Sequence, residues 1–145
     1  MTATNSTNPK LVHDLARTGI TTCFDTTLFV EAVRTLLKKN IESLIVLDNY
    51  SRAIGIFSRH EAVETYARSG INATNFDTLT VADVMRSDIP QVSANIPAIT
   101  AAQIMLDQGL RNIYLMHHKN AGTPDRPVGL LSLDDIIGEM IGESE

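Results

Sequence analysis

The sequence predicts an α/β (α+β) fold made of two β-α-β-β-α units packed sheet to sheet with pseudo-two-fold symmetry. Three observations lead there. The chain aligns with itself, each half alternates strand-length apolar runs with helix-period amphipathic stretches, and the apolar residues are almost all aliphatic, with no tryptophan and only 5% aromatics.

The internal repeat is the strongest signal. An offset of 69 positions brings Val12-His13-Asp14-Leu15-Ala16-Arg17 onto Val81-Ala82-Asp83-Val84-Met85-Arg86. The same offset sets Ile20 on Ile89, Ala32 on Ala101, Leu37 on Leu106 and Leu44-Ile45-Val46-Leu47 on Ile113-Tyr114-Leu115-Met116. A longer loop in the second copy then moves the offset to 74, where Gly55-Ile56-Phe57-Ser58 meets Gly129-Leu130-Leu131-Ser132.

Each copy opens with a short helical turn, Val12 to Arg17 or Val81 to Arg86, and a brief extended piece, Ile20 to Phe24 or Ile89 to Ser93. An amphipathic helix follows. In the first copy its stripe is Leu28, Val33, Leu36 and Leu37, with Glu31, Arg34, Lys38 and Lys39 on the other face. In the second copy Pro97 suits the first helical position and Ala101, Ile104, Met105 and Leu106 form the stripe. Asn40 and Gly109, both tolerant of left-handed geometry, stop these helices. Two strands come next: Leu44 to Leu47 and Ala53 to Phe57 around a polar turn, then Ile113 to Met116 and Pro127 to Leu131 around the loop from His117 to Arg126. The last helices start at Ser58 and Ser132, with Glu61 and Asp135 at capping-box spacing, and Gly70 and Gly142 are expected to end them. The resulting organisation is a flexible tail over 1–9, repeat one over 10–70, a linker over 71–78 and repeat two over 79–145. A three-stranded sheet with both helices on one face leaves its other face bare, and two such units can cover each other.

Composition narrows the function. The 145 residues carry a formal charge of −5, and the densest basic pair is Lys38-Lys39, so a nucleic-acid partner is not expected. No apolar run approaches the roughly 20 residues that span a bilayer, so no membrane partner is expected either. The opening residues lack the apolar core of a secretory signal, and Cys23, the single cysteine, fits a strand or core position in a reducing compartment. The expected location is cytoplasmic.

The layout Val-x-Asp-Val-Met, amphipathic helix, apolar strand, Gly-x-x-Ser-x-x-Asp closely resembles the CBS domain, named after cystathionine β-synthase. Two in tandem form a Bateman module. The resemblance runs from about Leu11 to Ile141 and rests most on Val81-Ala82-Asp83-Val84-Met85 and on Gly129-Leu130-Leu131-Ser132-Leu133-Asp134-Asp135-Ile136. It implies two clefts between the copies that take adenosine-containing ligands such as AMP, ADP, ATP or S-adenosylmethionine, with the Asp accepting ribose hydroxyls and a basic residue before the first sheet strand meeting phosphate. It also implies a homodimer acting as a ligand sensor on an unidentified regulated protein, with no obligatory cofactor.

Carried onto this chain, the main cleft would use Ser132, Asp135, Leu130 and Arg111, faced by Ile20, Thr21, Ile41, Glu42 and Ser43. The chemistry is coherent, since an ionised carboxylate makes strong hydrogen bonds to hydroxyls and a guanidinium fork suits phosphate. Ser132 and Asp135 read equally well as a helix cap, and the two roles are compatible. The second, weaker cleft would use Ser58 and Glu61, faced by Ile89, Pro90, Leu110 and Asn112. There Glu61 stands in place of the family's Asp, and Glu42 occupies the position matched by Arg111 and would repel phosphate. Arg59 and His60 offset this in part, and a phosphate-free ligand suits that cleft better.

Other constellations carry less. His117-His118 sits beside Lys119 and Asn120 without the three or four paired ligands of a zinc site, so no metal is expected. His13, His60, Cys23, Asp25 and Asp134 form no catalytic pattern, and no phosphate-binding glycine loop occurs, so no catalytic residue and no enzyme are expected. The alternative to a ligand sensor is a ligand-free dimerisation and protein-interaction module.

Overall fold

In the computed structural model, which describes residues 9–72, 75–117 and 126–142, the elements follow one another as α1 (Val12–Leu15), β1 (Thr22–Phe24), α2 (Phe29–Lys39), β2 (Ser43–Leu47), β3 (Ala53–Ser58), α3 (Arg59–Asn72), two 3-10 turns (Phe76–Thr78 and Val81–Asp83), β4 (Gln91–Val92), α4 (Ala98–Gln108), β5 (Asn112–His117), β6 (Arg126–Ser132) and α5 (Leu133–Met140). The tail expected over 1–9 and the loop between His117 and Arg126 fall almost wholly outside the described residues, as does His118. The chain divides into two compact units, each with a three-stranded sheet, β1-β2-β3 in one and β4-β5-β6 in the other. The mixed α/β class and the β-α-β-β-α order of the sequence reading are both present.

The unit built on β1-β2-β3 is described first. Strand β1 pairs parallel with β2, and β2 pairs antiparallel with β3. Leu44, Val46 and Phe57 pack with Phe29, Ala32 and Leu36 of α2, and the Phe29 ring meets Phe57 edge-on at 5.7 Å. Ile45 and Ile56, on the alternate positions, are buried as well, which is why β2 reads as an unbroken apolar run. The β2–β3 turn is tied by Asp48, whose carboxylate accepts from Tyr50 N at 2.8 Å, Arg52 N at 2.9 Å and Arg52 Nε at 2.7 Å. These bonds, the Arg52 backbone N–H foremost, hold the Asp48 carboxyl below the usual carboxylate range.

The other unit repeats the plan. Strand β4 pairs parallel with β5, and Ile113, Leu115 and Leu131 pack with Ala101 and Met105 of α4. Asn40 and Gly109 take the expected left-handed conformation after α2 and α4, at φ 52° and 66°.

The compact units cut across the sequence repeats. The strap 10–17, which opens the first repeat, belongs to the β4-β5-β6 unit, and Val12 is fully buried in its core. The strap 79–86, which opens the second repeat, belongs to the β1-β2-β3 unit, where Val81 is fully buried. The bonds match pair by pair. Val12 N donates to Ile96 O at 2.9 Å and Val81 N to Thr27 O at 2.8 Å, while Ala98 N donates to Lys10 O and Phe29 N to Leu79 O, both at 2.9 Å. At the far end of each strap, Arg17 bridges Leu130 and Arg86 bridges Ile56 through paired backbone bonds. Asp14 and Asp83 close the two turns by accepting from Leu11 N and Thr80 N.

Three expectations need correction. Leu28, which is the N-cap of α2, Leu37 and Leu106 are exposed, because the buried stripes run Phe29-Ala32-Leu36 and Ala101-Met105, one step round each helix. Pro97 is the N-cap of α4 and not its first residue, a shift that lets its extended backbone continue the strap contact. Helix α3 runs through Gly70 to Asn72. A glycine inside a helix costs about 1 kcal/mol relative to alanine, which packing elsewhere along 14 residues can absorb.

Candidate functional site

In the β4-β5-β6 unit, strand β6 delivers Leu130 and Ser132 to the start of α5. Ser132 is the N-cap, and its Oγ accepts from Asp135 N at 3.2 Å. Asp135 answers through Oδ2, which accepts from Ser132 N and Ser132 Oγ, both at 2.9 Å. Its other oxygen, Oδ1, accepts from Arg17 Nε at 2.9 Å, while the Asp135 side chain is only 9% exposed. Arg111 lies beside this helix start, since Leu133 N donates to its carbonyl at 3.1 Å, and its side chain is exposed. The fold therefore gathers Arg111, Leu130, Ser132 and Asp135 and adds Arg17, which the sequence reading did not assign to the site.

The β1-β2-β3 unit holds the matching arrangement with different occupancy. Glu61 Oε1 accepts from Ser58 N at 2.8 Å and, over a short distance, from Ser58 Oγ. Glu61 Oε2 accepts no hydrogen bond among the described residues, although the side chain is 1% exposed. Arg86, which matches Arg17 in the repeat, stands 3.9 Å away through Nη1 but spends Nε and Nη2 on Asp88 Oδ1 and Asp88 O, at 3.2 and 3.3 Å. The Asp88 carboxyl sits below the usual carboxylate range, held there by its own backbone N–H and then by Arg86.

The remaining predicted residues are placed as follows. Thr21 O accepts from Ile45 N, Arg59 N donates to Glu42 O, and Glu42 itself is exposed. Arg59 turns its guanidinium to the carbonyls of Ile41 and Leu36, at 2.9 and 3.2 Å, and so caps the exit of α2. That use gives the Ile41 carbonyl a donor and adds one to Leu36 O, which already accepts from Ile41 N, and it competes with any contact to phosphate. His60 is exposed, and its N–H goes to Ser58 Oγ. Ile20 and Ser43 are half-buried in the β1-β2-β3 unit, as is Ile89. Pro90 O accepts from Tyr114 N, Leu110 N donates to Met105 O, and Asn112 begins β5, all in the other unit.

The glycine ahead of each serine is explained by the straps. A Cβ on Gly55 would lie 2.7 Å from Arg86 O and 2.6 Å from Met85 Sδ, and one on Gly129 would lie 3.1 Å from Arg17 O. Absence of a side chain lets the strap cross the strand and brings its arginine to the acid. The signal for Arg17 and Arg86 was present in the 69-residue offset, which aligns them with each other.

The sequence pattern of the CBS domain matches residues 12–68 and 81–142. The chain belongs to the CBS domain family. A protein of Acidianus ambivalens, described only as an uncharacterized 17.7 kDa protein in the bps2 3′ region, is 24% identical over 130 residues, covering 90% of this chain and 73% of that one. Among solved structures, the CBS domain pair of protein MJ0100, in complex with 5′-methylthioadenosine and S-adenosyl-L-methionine, matches with a TM-score of 0.76 at 19% identity, covering 94% of this chain and 99% of that one. CBSX2 in complex with AMP matches with a TM-score of 0.71 at 18% identity, covering 93% and 98%. Within this CBS pair no described helix is long and apolar enough to cross a membrane, and the described residues hold no group of three or more His, Cys, Asp or Glu placed to bind a metal.

Proposed function

We propose that this CBS pair is a ligand sensor that binds an adenosine-containing ligand, without catalysing a reaction. The main site is centred on Ser132 and Asp135, with Leu130 and Arg111 beside them on the same unit. The observation that carries the reading is the nearly buried Asp135 carboxylate, fixed at a helix start with two arginines on the same unit. A carboxylate so placed accepts ribose hydroxyls, and Arg111 meets phosphate. The family, and relatives whose complexes hold AMP or S-adenosyl-L-methionine, support the same ligand class. The second site, at Ser58 and Glu61 with Ile89 on the same unit, takes a phosphate-free ligand, because Glu42 stands where Arg111 stands in the first.

The protein works in the cytoplasm as a homodimer, and its liganded form is read by a regulated protein. Exposed apolar residues on the helices favour self-association: Ile99 on α4 and Met140 on α5 line an apolar groove of about 420 Å³, and Ile137 on α5 is exposed as well. The same surface favours the alternative reading, a ligand-free interaction module.

A melting screen with AMP, ADP, ATP and S-adenosylmethionine separates the two. Ligand at a hundred times Kd adds about 2.7 kcal/mol to the folded state and raises the transition. Asp135→Ala is expected to abolish that rise for AMP. An unshifted transition with every ligand, beside a stable dimer in solution, establishes the interaction module instead.

A further inference from the structure

We propose that the two strap arginines sort ligands by charge: Arg17 reserves the Asp135 site for a phosphate-bearing nucleotide, and Asp88, by holding Arg86, keeps the Glu61 site open to a neutral nucleoside. This rests on the sensing function proposed above and goes further by naming Arg17 and Asp88 as its specificity-determining positions.

The two sites are built from matching residues and left in opposite states. At Asp135 every carboxylate oxygen is engaged, Oδ2 by Ser132 and Oδ1 by Arg17. At Glu61 the serine engages Oε1 in the same way, but Oε2 is buried with no hydrogen bond. The difference traces to one position. Asp88 draws Arg86 aside, and the residue matching it at the 69-residue offset is Gly19, which has no side chain to draw Arg17 away.

The energetics of entry then differ. A nucleoside reaching Asp135 must break a charge-assisted bond and leave the Arg17 guanidinium with water alone. A nucleotide breaks the same bond but presents a phosphate on the same ribose, so the guanidinium exchanges one anion for another while Asp135 turns to the hydroxyls. At Glu61 no hydrogen bond to Oε2 has to be broken, and only Arg86 Nη1, 3.9 Å away, has to move aside for a ligand to reach the buried oxygen. A neutral diol supplies the missing donor to a buried acceptor, and an unmet acceptor of that kind is costly to leave unpaired. Exposed Glu42, whose carbonyl is tied to the start of α3, adds repulsion against phosphate there.

The test uses the full chain, isothermal titration with AMP and adenosine, and four single substitutions. Asp135→Asn is expected to remove AMP binding and Glu61→Gln to remove adenosine binding, which assigns the sites. Gly19→Asp places a new carboxylate where nothing lies within 4 Å of the added Cβ. It is expected to release Asp135 and admit adenosine there as a second equivalent, a readout that loss of folding does not produce. Asp88→Ala, which removes the side-chain acceptor of Arg86 Nε, is expected to let Arg86 close on Glu61 and weaken adenosine about tenfold, as one charge-assisted bond warrants. If both ligands bind but Gly19→Asp and Asp88→Ala leave stoichiometry and the AMP-to-adenosine ratio unchanged, the sorting role is overturned and the sensing function stands. If neither AMP nor adenosine binds the unsubstituted protein, the sorting role is overturned, and the sensing function falls with it only when ADP, ATP and S-adenosylmethionine also leave the melt unshifted.

Discussion

Gly55 and Gly129 occupy the same place in the two repeats, yet alanine at each should have a different cost. At Gly55 the new methyl would meet Arg86 O at 2.7 Å and Met85 Sδ at 2.6 Å. The methionine sulfur can swing away. The carbonyl cannot, because it accepts from Ile56 N at 2.8 Å while Arg86 N donates back to Ile56 O at 3.0 Å. Relief therefore stretches both bonds of the bridge. Overpacking costs about 1–3 kcal/mol and each weakened backbone bond about 1 kcal/mol, so Gly55→Ala should lose about 3 kcal/mol. At Gly129 the closest contacts are 3.1 Å to Arg17 O and 3.3 Å to Leu115 Cδ2, which a few tenths of an ångström of movement relieve. The lower unfolded-chain entropy of alanine returns about 0.4–1 kcal/mol, and Gly129→Ala should fall within about 1 kcal/mol of the parent. Urea unfolding followed by far-ultraviolet circular dichroism suits a chain without tryptophan. With a slope near 2 kcal/mol per molar, Gly55→Ala should move the midpoint down by about 1.5 M. A Gly129→Ala loss equal to or larger than the Gly55→Ala loss would refute the claim that strap proximity sets the requirement for glycine.

Two further outcomes follow from titratable groups away from the site. Burial raises the Cys23 thiol to about 11, so at pH about 8 the native protein should react with a disulfide reagent on the order of a hundredfold slower than a free thiol. Urea should abolish the protection, and equal native and unfolded rates would show that the thiol is not shielded. The Asp48 carboxyl is held low in the folded state, so the stability it confers is present above the ordinary carboxylate range and disappears as pH falls through its folded pKa. Asp48→Asn should therefore melt below the parent at pH about 7, with the gap closing toward pH about 3. A gap that widens in acid would reverse the sign of the argument.

The sequence carried the strands, the left-handed helix ends at Asn40 and Gly109 and the serine caps, because each depends on neighbours within a few residues. It also carried the repeat, and with it the pairing of the segment 12–17 with 81–86. Where the straps dock was not legible. Periodicity around Val12 says that one face is buried but not that its partners are Ala101 and Met105, some ninety residues away. Leu37 and Leu106 were misassigned for a related reason: an apolar residue adjoining a stripe looks like part of it until the packing partner fixes the helix rotation. Arg17 was visible only as an alignment partner of Arg86. The difference in what the two arginines hold depends on a glycine facing an aspartate, which no local pattern marks as functional.

The strap arrangement also imposes an order on synthesis. As the polypeptide leaves the ribosome, residues 20–89 supply β1-β2-β3 together with the strap that crosses it, so that unit can close from one continuous stretch. The opening strap must wait. Its bridge from Arg17 to Leu130 and its ion pair with Asp135 join residues more than a hundred positions apart, so Val12 and Leu15 stay without their core until the stretch through Asp135 has been made. A newborn segment with buried-type side chains and no partner is where association with other chains competes with folding, and slow translation between the two ends of that bridge prolongs the exposure.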